Sequence, residues 1–349
     1  MNKPTHILVI RLSAMGDVAM TVPVIRVLAQ SYPELKITVL SRPFFKPLFE
    51  GIPNLDFLEA DVYGKHKRFG LIKLAKEAKA VGIDGVADLH NVIRSKIIAN
   101  YLNFKGLNTA TIDKGRAEKK ALVASEGKNN SQLKTTHQRY AAVFEKLGFP
   151  IDLKNFSAPP RKRLTPKLNG LLGIEPKKIL GIAPYAAYTS KMYPLPLMAE
   201  VIRLLDTTNN YRIFLFGGGK KEIEVLKKLE SPFANVTSVA GKLTFDEELA
   251  LISNLDLMLS MDSGNGHLAA MFGVKVLTLW GVTHPYAGFV PFNQPENNQL
   301  LSDSEKYPLI PTSIYGNKYP NGYDEVMKTI APETVVLKIK EIVLKQVIK

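Results

Sequence analysis

Apolar positions along this chain recur with two periods. Short runs of consecutive apolar and β-branched residues at 6–12, 36–41, 55–58 and 85–89 read as strands buried on both faces. Between and after them, 18–31, 71–80 and 94–102 carry apolar residues at helical spacing, and Pro23 sits near the start of the first helix. Strand and helix alternate, which predicts parallel strands joined by right-handed helical crossovers.

A proline-rich, basic stretch at 154–166, KNFSAPPRKRLTP, starts no periodic element and reads as a linker. The wiring then restarts. Strands are expected at 178–183, 211–216, 236–240, 257–261 and 275–279, with helices at 196–206, 220–229, 246–254 and 267–272. Residues 294–321, rich in Pro, Asn, Ser and Tyr, read as a long loop, and 333–348 as an amphipathic helix. The expected fold class is α/β, with two Rossmann-like doubly wound domains facing across a cleft. Their expected extents are 1–160 and 161–330, with a terminal helix at 331–349 packing back on the first domain.

Composition narrows the chemistry. With 349 residues, 46% of them hydrophobic and 22% charged, the chain has ordinary globular composition and length for two cores. It has no cysteine, which removes disulfides, thiolate nucleophiles and cysteine-ligated zinc and fits a reducing compartment. No uninterrupted apolar stretch approaches the ~20 residues of a membrane span, and the first twelve residues lack a secretory core. A cytoplasmic location is expected, peripheral on the inner membrane at most. The formal net charge of +14 suits a polyanionic partner, whether nucleic acid, an anionic membrane or a phosphorylated substrate, and equally a basic solvated surface.

In open α/β sheets, ligands bind beyond the carboxyl ends of strands. Three loops occupy such places. After the first strand comes RLSAMGDV, residues 11–18, where Gly16 permits a tight turn and Asp17 is either a general base or an ordinary helix cap. After the strand at 257–261 comes DSGNGH, residues 262–267, either a backbone nest for phosphate flanked by Asp262 and His267 or a plain glycine-containing turn. After the strand at 178–183, residues 184–194 bring Lys191, which either neutralises a departing diphosphate or is solvated surface.

Other site types fail on spacing. FGGGKK at 216–221 is neither a Walker loop nor a dinucleotide fingerprint, and the single glycine between Arg11 and Asp17 argues against a nicotinamide-dependent oxidoreductase. There is no Gly-x-Ser-x-Gly, His-Glu-x-x-His or Asp-x-Asp, so neither a hydrolase elbow nor an acidic clamp for a metal-bound nucleotide sugar is expected.

Taken together, Ser13–Val18, Asp88-Leu89-His90 with Arg94-Ser95, and Asp262-Ser263-Gly264 with His267–Ala270 running into Leu279–Pro285 resemble the lipopolysaccharide heptosyltransferase family over most of the chain. The resemblance implies a GT-B fold, an N-terminal domain for the acceptor and a C-terminal domain for a nucleotide sugar, typically ADP-heptose. It implies metal-independent, cofactor-free inverting transfer with Asp17 as base, and Lys191 on the donor phosphate. Asp262, Ser263, Gly264 and His267 would hold the donor sugar and diphosphate, Leu243 would pack on the base, and Glu222 would meet the ribose. Thr189 and Ser190 would stand in for hydroxyl residues that family members carry where this chain has Ala186 and Ala187. On the acceptor side it points to Ser13, Gly16, His90 and Arg94.

The basic residues of 64–68 and of 114–139, among them Lys119 and Lys120, are expected to hold an anionic glycolipid, the second stretch as a mobile loop leading to a helix near His137. The expected partners are therefore a nucleotide sugar, an anionic glycolipid and the inner membrane surface, without nucleic acid, for a monomer. The competing reading is a catalytically inactive nucleotide-sugar or polyanion-binding module of the same fold.

Overall fold

A computed structural model describes residues 3–128 and 130–344. Two compact units emerge, Met1–Gly115 with Lys134–Ser157, and Arg116–Leu133 with Ala158–Lys349.

The first unit begins β1 (His6–Ile10), α1 (Met15–Ser31), β2 (Lys36–Ser41), β3 (Leu55–Glu59), α2 (Gly70–Ala80), β4 (Gly85–Asp88), α3 (Ile93–Phe104) and β5 (Asn108–Thr111). Its five strands are parallel in the order β3-β2-β1-β4-β5. Strand order reverses between β1 and β4, where Ile10 pairs with Asp88, so the loops after these two strands emerge side by side. β1 is buried at every position, as a central parallel strand covered on both faces must be. β5, Asn-Thr-Ala-Thr, has no apolar run to announce it and forms only because β4 offers it an edge.

The basic stretch after β5, expected as a loop leading to a helix near His137, is helical at both ends. It holds α4 (Arg116–Leu122), and α5 (Thr136–Lys146) then opens with a capping box in which Thr135 accepts from Gln138 N and the Gln138 side chain accepts from Thr135 N. Leu122 and Leu133 anchor residues 116–133 in a small core with Ala287 and Ile314 of the second unit. Burying these leucines offsets the entropy of ordering a polar segment.

The second unit continues with α6 (Pro166–Leu172), β6 (Lys178–Ala183), α7 (Leu195–Asp206), β7 (Tyr211–Leu215), α8 (Lys220–Glu230) and β8 (Val236–Ser238). It ends with α9 (Phe245–Ser253), β9 (Leu257–Met261), α10 (Gly264–Ala270), β10 (Lys275–Trp280), β11 (Gln299–Leu301) and α11 (Pro332–Leu344). Six parallel strands run β11-β10-β9-β6-β7-β8, and the order reverses between β6 and β9, where Ala183 pairs with Ser260.

Two details differ from the sequence expectation. The long loop at 294–321 contains β11, which extends the sheet beside β10. The turn at 262–267 is mostly helix already, since α10 starts at Gly264. The terminal helix places Val335, Val336, Ile339, Ile342 and Val343 in the second unit's core, against α7. The last expected turn of that helix, 345–348, lies outside the described residues. Among the described residues no helix is long and apolar enough to cross a membrane.

Candidate functional site

Each unit brings part of its candidate set to its own switch point. In the first, Asp17 lies in the opening turn of α1 but does not cap it, because the N-cap is Ala14. Its Oδ2 is instead 2.6 Å from Arg11 Nη2, with Arg11 buried and the Asp17 side chain 35% exposed. Arg11 is locked in place because Nε donates to Ser13 O at 2.8 Å and Nη1 to Leu89 O at 2.8 Å. The guanidinium therefore ties the β1 loop to the β4 loop and presents a carboxylate with a fixed orientation. Tyr140, fully buried on α5, donates its hydroxyl to the Asp17 carbonyl at 3.3 Å, and burial raises its phenol's pKa.

The β4 loop is built on Asp88. Its Oδ1 accepts from His90 N and Asn91 N, both at 2.9 Å, and Oδ2 accepts the Ser95 hydroxyl at 3.1 Å. A buried carboxylate is tolerable here because three donors satisfy it. His90 is consequently held beside Arg11, and its Nδ1 accepts from Leu12 N at 3.4 Å. Burial first, and the neighbouring Arg11 next, push the imidazole down to about 3. His90 is therefore neutral near pH 7, and the Leu12 bond leaves the proton on Nε2.

Arg94, exposed at the start of α3, has its guanidinium 5.1 Å from the centre of the Tyr63 ring, and Arg42 lies 5.2 Å from the same ring. Sequence reasoning named Arg94 without these neighbours. Within 64–68, His66 is fully buried with Nε2 3.1 Å from Glu77, so it does not belong to the solvated basic set expected there.

In the second unit, Lys191 Nζ lies 3.1 Å from Asp262 Oδ2, and Thr283 Oγ1 donates to that same oxygen at 3.0 Å. All three are buried. Loops after β6, β9 and β10 thus converge on one carboxylate. Gly281 makes this possible, since a Cβ there would run into the Ser190 carbonyl oxygen. Gly316, with φ +81°, lets its loop pass over the Lys191 stem, and its carbonyl accepts the Ser190 hydroxyl. The Ser190 hydroxyl is therefore already engaged by backbone, whereas Thr189 is exposed.

Glu222 Oε2 accepts from Gly218 N at 2.8 Å and holds the glycine loop closed. Leu243 is half-buried just ahead of α9. Ser263 Oγ is buried without a protein partner, Gly264 begins α10, and His267 is buried within it. His284 accepts from Tyr286 N through Nδ1 at 3.2 Å, and burial lowers it to about 4.

Lys120 is exposed, but Lys119 is buried with its ammonium 4.2 Å from the centre of the Phe289 ring. It ties α4 to the rest of the second unit through a cation–π contact.

The profile of glycosyltransferase family 9 (heptosyltransferase) matches residues 71–312. The chain belongs to that family. This glycosyltransferase is 25% identical over 300 residues to lipopolysaccharide core heptosyltransferase OpsX of Haemophilus influenzae, covering 84% of each chain. Its fold matches the glycosyl transferase family 9 structure from Veillonella parvula with a TM-score of 0.74 at 20% identity, covering 98% of both. It also matches E. coli heptosyltransferase WaaC with ADP-2-deoxy-2-fluoro heptose, with a TM-score of 0.64 at 18% identity, covering 96% of this chain and 99% of that one. The fold of this glycosyltransferase is accordingly GT-B, as the resemblance implied. Among residues to which sequence reasoning gave no role, Arg11 and Thr283 lay inside quoted motifs. Tyr140 and Gly316 carried no local signal at all.

Proposed function

We propose that this protein is a metal-independent inverting glycosyltransferase that moves a heptose from ADP-heptose to an anionic lipopolysaccharide core acceptor, working peripherally on the cytoplasmic face of the inner membrane. The observation that carries the reading is the buried Lys191–Asp262–Thr283 cluster at the switch point of the second sheet, in a chain of this family. A cation held beside such a turn is suited to the charge that grows on a leaving diphosphate. The nucleotide is taken from the heptosyltransferase structure that holds an ADP-heptose analogue.

In the proposed reaction an acceptor hydroxyl oxygen attacks the anomeric carbon while Asp17 takes its proton. The new C–O bond forms as the bond from that carbon to the diphosphate oxygen breaks, and the electron pair leaves with ADP. Arg11 orients the carboxylate, and His90, neutral with Nε2–H available, donates to the acceptor. Ser13, Gly16 and Arg94 line its path. Lys191 swings from Asp262 to the diphosphate, and Asp262 turns to the sugar hydroxyls with Ser263, Gly264 and His267. Glu222, Leu243, Thr189 and Ser190 enclose the nucleoside and phosphates.

The test is a transfer assay with ADP-, GDP-, UDP- and dTDP-linked sugars on a deacylated core oligosaccharide. Turnover with ADP-heptose and inversion at the anomeric carbon are expected. Retention of configuration, or donor binding without turnover, would replace this reading with a retaining enzyme or an inactive binding module.

A further inference from the structure

The outer surface of α2 and α3 carries exposed apolar groups that neither the fold nor the reaction uses. The two helices pack side by side on the first sheet. On α3 the outward positions recur at Ile93, Ile97, Asn100 and Phe104, spacings of four, three and four that stay on one face. Ile93 is 78% exposed and Phe104 83%. The stripe runs for about 16 Å along the helix. On α2 the matching outward row is Phe69, just before the helix and 92% exposed, followed by Lys73 and Lys76. Solvated single apolar residues are ordinary, but three exposed apolar residues on one helix face beside a lysine row are not.

Charge decides what such a face would meet. Lys96 and Lys105 flank the α3 stripe as Lys73 and Lys76 flank it from α2, and all four are exposed. The single acidic residue of the two helices, Glu77, is engaged by His66 and Lys65. Lysine is depleted from protein–protein interfaces, whereas apolar residues framed by lysine suit the boundary of an anionic bilayer. The lysine stems can lie along the acyl boundary while their ammonium groups reach phosphate.

We infer that the α2–α3 face is the surface by which this protein docks on anionic phospholipid, with Phe69, Ile93, Ile97 and Phe104 entering the headgroup boundary. The inference takes from the proposed function only that the acceptor is a membrane glycolipid. Its deciding readout, vesicle binding, needs neither donor nor acceptor, so it stands or falls separately.

The full chain is sedimented with vesicles of phosphatidylglycerol and phosphatidylethanolamine in equal parts, and with phosphatidylcholine vesicles. Binding to the first and not to the second is expected, weakening as salt is added. Ile97→Asp with Phe104→Asp, and separately Lys73→Glu with Lys76→Glu, should each lower partitioning by about tenfold or more. Both pairs are solvent-facing, so the circular dichroism and the rate of transfer to a deacylated acceptor should stay unchanged. Wild-type partitioning in both double variants would overturn the inference. So would absence of vesicle binding together with a dimer in analytical ultracentrifugation that Ile97→Asp and Phe104→Asp dissociate, which would assign the face to a second copy of the chain.

Discussion

Lys191 and Asp262, 71 positions apart in the chain, meet at 3.1 Å in a buried ion pair whose carboxylate also accepts the Thr283 hydroxyl. Removing one partner of a buried pair strands the other, so Lys191→Ala should lose stability as well as donor phosphate contact. The expected loss in ADP affinity is about 1.5 to 3 kcal/mol, the worth of a charge-assisted bond. Calorimetric titration with ADP at a temperature where the variant is folded checks it, and an unchanged Kd would mean that Lys191 serves only Asp262. Thermal melts of Lys191→Met, Asp262→Leu and the double variant should show strong coupling between the two positions.

Asp17→Asn keeps the shape of the carboxylate and removes the base. A fall in kcat of about 10² to 10⁴ is expected, with donor Kd near wild type. Arg11→Lys should also lower kcat, because an ammonium cannot bond Ser13, Leu89 and Asp17 at once as the guanidinium does. Full activity in Asp17→Asn removes the base assignment.

The pH dependence of folding should carry the signature of His90. Its folded value of about 3 lies below the ordinary 6.5, so between those values the unfolded chain binds a proton that the folded protein does not. Stability therefore declines as pH falls from about 6.5 toward 3, by at most about 1.4 kcal/mol per unit for this group, and is flat above. His284, lowered to about 4, adds in the same direction. Urea midpoints measured from neutral to acidic pH should fall less steeply in His90→Gln, and an identical slope would remove His90 from the account.

Lys119 and Lys120 should part company. Lys119→Gln breaks the buried contact with Phe289 and should lower the melting temperature. Lys120→Gln leaves packing alone and should raise the acceptor KM at low salt, with the difference from wild type vanishing at high salt. An acceptor KM indifferent to both salt and Lys120 would return this charge to ordinary surface.

Transfer should proceed in excess EDTA. The absence of Asp-x-Asp from the sequence motivates this expectation, and loss of turnover restored by magnesium or manganese would oppose the proposed mechanism.

The sequence by itself determined the alternating α/β plan of both sheets, because a parallel strand covered on both faces needs an unbroken apolar run and a crossover helix needs a 3.6-residue period. It also named Asp17, Lys191 and Asp262, because ligand loops follow strand ends. It left α4, β5 and β11 unannounced, since those segments are polar or only three residues long and owe their form to Leu122 and Leu133 finding a core, or to β4 and β10 offering an edge. Only the tertiary structure decided what the named residues touch. Asp17 is held by Arg11 and Tyr140, the latter 123 positions away, and Lys191 by Asp262 and a glycine loop 125 positions on. Local propensity acts over a few residues, whereas these bonds depend on which loops the order of strands brings to one edge of a sheet.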